Sequence, residues 1–293
     1  MSITLICVAI VIFIALSAIY LSFRAPRNKE EGAPIDFGLD YIEKRIPTRG
    51  GKQLFAWLLP RVGSNETLII LHGWGSNAEL MLPVAEPYSQ ANTNVLLIDA
   101  RGHGGSDSDS YSSLSRFTED LSHSIDWLKQ NHPDITHKIA LLGHSAGIGA
   151  VILEASKRTD ISAVIGLSSF ANPEWDTQRN WQYDHIPAIF RRPVILYVEW
   201  IVGFRFSRNA PLENVCKSDC PVMLVHRIGD TSVLIDDAYA LIANAPQPHL
   251  SIIEVEDMGY DDLEEEIQEH SEQLVEFLGK AGFQVEALNK PSK

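Results

Sequence analysis

Apolar side chains are distributed along this chain in two regimes. From Ile3 to Phe23 they run on with no charged residue, glycine or proline, 21 residues in all. From Asp40 onward they come in short bursts of strand length, separated by stretches in which they recur at every third or fourth position. At about 1.5 Å rise per residue, the first run would span about 30 Å as a helix, the thickness of a bilayer's hydrocarbon core. It is expected to be a transmembrane anchor. Two readings compete with that. A core helix of this length would seldom be apolar on every side, and a cleaved signal peptide would have a basic residue before the run and an A-x-A site after it, neither of which is present.

The second regime predicts an α/β domain. Tyr41–Pro47 and Leu54–Pro60 flank Arg49-Gly50-Gly51-Lys52 and read as an opening β-hairpin. Six runs follow of the kind expected for strands buried on both faces: Thr67–Leu71, Asn94–Ile98, Lys138–Leu142, Ala163–Leu167, Pro221–Val225 and Leu250–Val255. Amphipathic helical stretches near 78–90, 115–130, 146–157, 233–244 and 263–279 alternate with them. Such alternation implies a mostly parallel central sheet with helices on both faces. The interval from 170 to 215 is too long for a simple crossover and carries Trp175, Trp181, Trp200, Phe190, Phe204 and Phe206. An insertion after a strand's C-terminal end lies where open α/β sheets bind ligands, so it is expected to cap the site, with some of these aromatics touching substrate. The alternative is that they only form the insertion's own small core.

The domain organisation that follows is an anchor at 1–23, a polar Pro- and Gly-containing linker at 24–35 and a catalytic-type domain at 36–293. Charge adds an orientation. Arg24, Arg27 and Lys29 follow the apolar run at once, and by the positive-inside rule they put the soluble domain of a single-pass membrane protein on the cytoplasmic side. The net charge of −14 argues against nucleic acid as a partner, because a polyanion would be repelled. Cys7, Cys216 and Cys220 form no disulfide framework and no zinc spacing, and no dinucleotide, P-loop or H-E-x-x-H motif occurs, so no metal and no cofactor is expected.

The chemistry-bearing motif is Gly143-His144-Ser145-Ala146-Gly147, a G-x-S-x-G that follows a strand and opens a helix rich in small residues. A turn this tight needs flanking residues without bulk and leaves the Ser145 hydroxyl bare above the sheet, at the helix's positive end. Its plain structural alternative is a helix N-cap. A serine nucleophile also needs donors for the developing oxyanion. The N–H of Ala146 is one, and the loop Leu71-His72-Gly73-Trp74-Gly75 offers the second at Trp74.

These features, with the loop Asp99-Ala100-Arg101-Gly102-His103-Gly104-Gly105-Ser106 and with Asn209-Ala210-Pro211-Leu212 leading to Cys220-Pro221-Val222-Met223-Leu224-Val225-His226, resemble the α/β-hydrolase superfamily, in its esterase/lipase and serine aminopeptidase-like branch. The resemblance covers about residues 36–280. It implies the α/β-hydrolase fold, with Arg101 and His103 shaping a loop. His226-Arg227-Ile228-Gly229-Asp230 matches the branch's H-G-x-x-D pattern except for Arg227, and so implies Asp230 as the carboxylate that orients the catalytic histidine.

The histidine itself is where the chain departs. The pattern implies a histidine after Gly259, and Tyr260 stands there, followed by Asp261 and Asp262. A phenol protonated at neutral pH is a poor general base. His270 is the one histidine downstream, and it reaches Ser145 only if the last helix starts later than its pattern suggests. His72, His103, His144 and His226 also gather near the sheet's C-terminal edge, each with an ordinary packing role open to it. Two functions remain. One is a membrane-anchored serine hydrolase that cleaves esters or related acyl bonds of small-molecule or lipid-like substrates; the other is a silent hydrolase-fold binding module.

Overall fold

The computed structural model describes residues 3–180, 187–245, 249–256 and 263–288. The apolar N-terminal run is helix α1, Ile3–Ser22, long and apolar enough to cross a bilayer. The following domain is built on eight strands: β1 (Ile42–Thr48), β2 (Lys52–Leu59), β3 (Glu66–Leu71), β4 (Asn94–Ile98), β5 (Lys138–His144), β6 (Ala163–Leu167), β7 (Val222–Arg227) and β8 (Leu250–Val255). They form one sheet in the order β1-β2-β4-β3-β5-β6-β7-β8. The β1–β2 hairpin pairs antiparallel, as does β2 with β4, and every later pairing is parallel. This is the α/β-hydrolase architecture, and each expected strand is found within two residues of its ends.

Uniformly apolar strands require cover on both faces, and the helices provide it. On one face α3 (Leu114–Asn131), α4 (Ala146–Ala155) and α9 (Ile235–Asn244) enclose a core containing Ile69, Leu141, Phe117, Ile148 and Leu241. On the other, α2 (Leu82–Gln90) and α10 (Leu263–Lys280) pack over Leu68, Ile70, Leu97, Leu142 and Ile165. The alternation of these strand residues between the two cores is the two-residue period of a pleated strand.

Between β6 and β7 the chain leaves the sheet as α5 (Pro173–Asn180) and α6 (Ala188–Val202) and returns through the short helices α7 (Phe206–Asn209) and α8 (Pro211–Asn214). Two polar ties fasten this excursion. Arg179 of α5 makes a two-pronged ion pair with buried Asp237 of α9, at 3.0 and 2.7 Å. The Ser115 hydroxyl of α3 donates to the Val202 carbonyl at the end of α6 at 2.9 Å. A separate apolar cluster joins Ile195, Val198 and Val202 of α6 to Ile19, Tyr20 and Phe23, so the cap packs on the end of α1.

Residues 24–35, expected as a linker, are laced to the domain. Arg27 donates to the Gly104 carbonyl at 3.0 Å, to Ser108 Oγ at 2.6 Å and to the Ser106 carbonyl. Asn28 Nδ2 donates to the Gly75 carbonyl at 2.9 Å, and the amides of Glu31 and Gly32 donate to the Glu79 carboxylate.

One defect in this core is testable. Tyr88 of α2 is fully buried, its Oη has no hydrogen-bond partner among the described residues, and burial holds the phenol far above its ordinary pKa. An unsatisfied buried hydroxyl stabilises nothing, so Tyr88→Phe is expected to leave stability unchanged or raise it by up to about 1 kcal/mol. Urea unfolding of both proteins checks this; a clear loss of stability would show that the hydroxyl has a partner.

Candidate active site

The parallel strands deliver their C-terminal ends to one edge, and three loops converge there: that after β3 (His72 to Gly75), the β5–α4 turn at Ser145, and that after β7 (Ile228 to Ser232). The turn at Ser145 is the tightest. Its backbone has φ 49° and ψ −111°, a conformation that side-chain-bearing residues rarely adopt. Neighbouring strands hold it there: the Ser145 amide donates to the Leu167 carbonyl of β6 at 2.9 Å, and the Ser145 carbonyl accepts from Ile148 at 3.1 Å. The two glycines of the motif answer a packing demand. A Cβ on Gly143 would overlap the Gly147 backbone, and one on Gly147 would overlap the Leu71 carbonyl and stand 2.7 Å from that of His72. The helix can start this close to β3 only without side chains at these two positions.

Ser145 opens onto a cavity of about 430 Å³. Trp74 and Ala146, the two expected oxyanion donors, line it beside the serine, and no acceptor among the described residues takes either backbone N–H. The walls are mostly apolar, with Leu114, Phe170, Val202, Phe204 and Phe206. Asp176 and Thr177 of α5 add polar groups, and Ser22 and Phe23 at the end of α1 close one side.

Two of the six aromatics singled out in the insertion, Phe204 and Phe206, line the cavity. Phe190, Trp175 and Trp200 are exposed outside it, and Trp181 lies outside the described residues. Phe170, Ser22 and Phe23 were not anticipated. Phe170 follows β6 and so shares the edge with Ser145, a signal present in the strand order. The approach of α1 is a tertiary contact with no local pattern.

Asp230 follows β7 in a turn of its own making: Oδ1 accepts the amides of Ser232 at 2.8 Å and Val233 at 2.9 Å. Both of those residues line the cavity, so the carboxylate stands beside it. Its charge reaches the residue next to the serine. Burial lowers the His144 pKa to about 4, and Asp230 pulls it in the opposite direction.

The other histidines at this edge have structural partners. His72 Nε2 accepts the Ala100 amide at 3.0 Å, which leaves Nδ1 to donate to the Gly73 carbonyl at 2.6 Å. Burial, reinforced by His103, lowers its pKa to about 3. His103 packs between the His72, Trp74 and Phe117 rings, with its pKa lowered to about 4, mainly by burial. His226 bonds the Val233 carbonyl through Nε2 at 2.8 Å. Arg101 is buried and ion-paired with Asp120 at 2.7 Å, a loop-shaping contact.

His270 is not brought to the serine. Helix α10 begins at Leu263, so His270 sits about 10 Å along its axis, on a helix packed against α2, and it does not line the cavity. Tyr260, Asp261 and Asp262 lie outside the described residues. Among the described residues no imidazole lines the cavity, and no group of acidic, histidine or cysteine side chains could hold a metal ion.

Known proteins are similar to this chain in sequence and fold. A family model described as serine aminopeptidase, S33, matches residues 64–214. The uncharacterized protein YfhR of Salmonella typhimurium is 24% identical over 265 residues, covering 83% of this chain and 84% of its own. An esterase of Pyrococcus furiosus has a TM-score of 0.71 at 24% identity, covering 88% of this chain and 97% of that one. Est1E of Butyrivibrio proteoclasticus, solved with ferulic acid bound, has a TM-score of 0.65 at 22% identity, covering 80% and 99%.

Two outcomes follow from the geometry. Gly147→Ala is expected to cost about 2 kcal/mol or more, because the helix start must move off β3; a melting curve matching the parent would refute the close approach. The second concerns pH. Buried His103 stays neutral down to about pH 4, whereas in the unfolded chain it protonates near 6.5. Its contribution is therefore complete above about pH 6.5 and lost as pH falls toward 4. The stability gap between the parent and His103→Gln should accordingly shrink by about 1 kcal/mol per pH unit below 6.5 in paired urea titrations. A gap that does not vary with pH would mean that the ring titrates alike in the folded and unfolded chain.

Proposed function

The chain belongs to the serine aminopeptidase S33 family of α/β-hydrolases, and on that premise we propose that it is a membrane-anchored serine hydrolase acting on esters or related acyl bonds of hydrophobic substrates. Ser145 is the nucleophile. Its Oγ attacks the carbonyl carbon, the N–H groups of Trp74 and Ala146 hold the oxyanion, and the positive end of α4 adds to that field. The leaving group departs from a tetrahedral intermediate, and water then hydrolyses the acyl-enzyme to release the acid and regenerate the serine. Asp230 is the carboxylate that orients the general base, a group not among the described cavity residues, which takes the Ser145 proton and passes it to the leaving group. The apolar cavity walls suit an acyl chain, and α1 holds the enzyme where such chains are concentrated, with Arg24, Arg27 and Lys29 keeping the domain on the cytoplasmic side.

The observation that carries this reading is the strained backbone of Ser145, of order 1–3 kcal/mol, at a residue that lines the cavity together with Trp74 and Ala146, whose amides have no acceptor among the described residues. A second reading, a binding module with a hydrolase fold and no turnover, draws on the lack of an imidazole among the described cavity residues. It also draws on Tyr260 at the position where the family pattern has histidine. Loss of a triad member leaves only about 10³ to 10⁴ over the uncatalysed rate, so the two readings differ by orders of magnitude.

A fluorophosphonate probe decides between them. The hydrolase is expected to label covalently at Ser145 and to lose all labelling in Ser145→Ala. Folded protein that does not label at any pH between about 6 and 9 would leave the silent module standing.

A further inference from the structure

The side of α6 that faces away from the domain is as apolar as the side that faces in. Ile195, Val198 and Val202 are buried against the end of α1, while Ile189 is 77% exposed, Phe190 57%, Leu196 42% and Trp200 77%. Ile189, Pro193, Leu196 and Trp200 fall at i, i+4, i+7 and i+11, one continuous outer stripe. An apolar patch of this kind on a water-facing helix needs an occupant.

Its position says which. Tyr197 donates its hydroxyl to the Leu16 carbonyl of α1 at 3.1 Å, so α6 lies alongside the last two turns of that helix. Up to Ala15, every described residue of α1 is exposed and nearly all are apolar, and the stripe on α6 continues that surface sideways. Leu16 lies six residues before Ser22, about 9 Å along the axis. If α1 spans the hydrocarbon layer, the Tyr197 contact sits about 9 Å below its edge, within the 5–10 Å depth at which interfacial amphipathic helices lie. Tyr197 and Trp200 stack at 5.9 Å, the kind of aromatic pair favoured at the membrane interface.

We propose that α6 is a second membrane-seated element: its Ile189–Trp200 stripe inserts into the interfacial layer of the bilayer beside α1. Val202 at its end, with Ser22 and Phe23, lines the Ser145 cavity, so the cavity mouth opens at the lipid surface and takes acyl chains from it without their crossing water. The inference rests on the reading of α1 as a membrane span; it does not require turnover.

The test uses the full chain reconstituted in phosphatidylcholine vesicles. Subtracting the fluorescence of Trp200→Phe from that of the parent isolates Trp200 from the other tryptophans. This exposed, conservative change leaves the core intact. Lipids brominated near the top of the acyl chains are expected to quench the Trp200 emission about twofold or more, with weaker quenching from lipids brominated near the bilayer centre. Acrylamide in the water should quench it little. Efficient acrylamide quenching with no effect of brominated lipid overturns the proposal. Alkaline carbonate extraction keeps the two claims apart: a retained protein with a water-exposed Trp200 loses only the α6 proposal, whereas a released protein loses the anchor reading and this proposal together.

Discussion

The close passage of α4 beneath the end of β3 is the contact on which the site depends. Two backbones meet there without side chains between them, at Gly143 and Gly147, and the turn that joins β5 to α4 has no room to relax. Ser145 takes up the resulting strain in its own φ and ψ, and Ala146, as the first residue of α4, keeps an amide with no intrahelical acceptor. The neighbouring loop is drawn in by the same contact, since Gly73 lies against His144 and Ser145 and brings Trp74 with it. A hydroxyl, two donor amides and a cavity thus follow from one packing constraint.

Around this contact the polar groups of the edge are spent on rigidity. His72 ties the loop after β3 to the one after β4 through Nε2 at Ala100, while its Nδ1 donates to the Gly73 carbonyl within its own loop. Asp99 accepts the amides of Ala78 and Gly105, each at 2.7 Å, and its carboxyl is held well above the usual range by burial and then by its hydrogen bond with Glu30. Burial keeps His72, His103 and His144 neutral at physiological pH, so none adds positive charge near the serine.

The strands were legible because a parallel sheet buried on both faces leaves uninterrupted apolar runs, and Asn94–Ile98, Ala163–Leu167 and Leu250–Val255 end where their runs end. The elbow was legible because its glycines answer a local steric demand. What lay beyond local pattern was assembled across the chain. Phe170 reaches the cavity only through the order of strands, and Phe23 only because α6 folds back onto α1. Of the cap's aromatics, composition could not tell the inward Phe204 and Phe206 from the outward Phe190 and Trp200, since the latter lie on the exposed side of α6 and the former at and beyond the bend that follows it, a difference of tertiary placement. His270 could not be excluded from the sequence alone because its distance from the serine turns on where α10 begins.

The lacing of residues 24–33 has a consequence for how such a molecule would search. Arg27, Asn28, Glu31 and Gly32 bind the segment to Gly104, Gly75 and Glu79, so a membrane-embedded α1 would be less a leash than an axle. A domain on a slack tether sweeps a hemisphere and samples solutes in three dimensions. One mounted like this, with α1 in a bilayer, would keep a single attitude to the membrane plane. Its encounters would then be governed by two-dimensional diffusion, and by the crowding of one leaflet rather than the concentration of any solute.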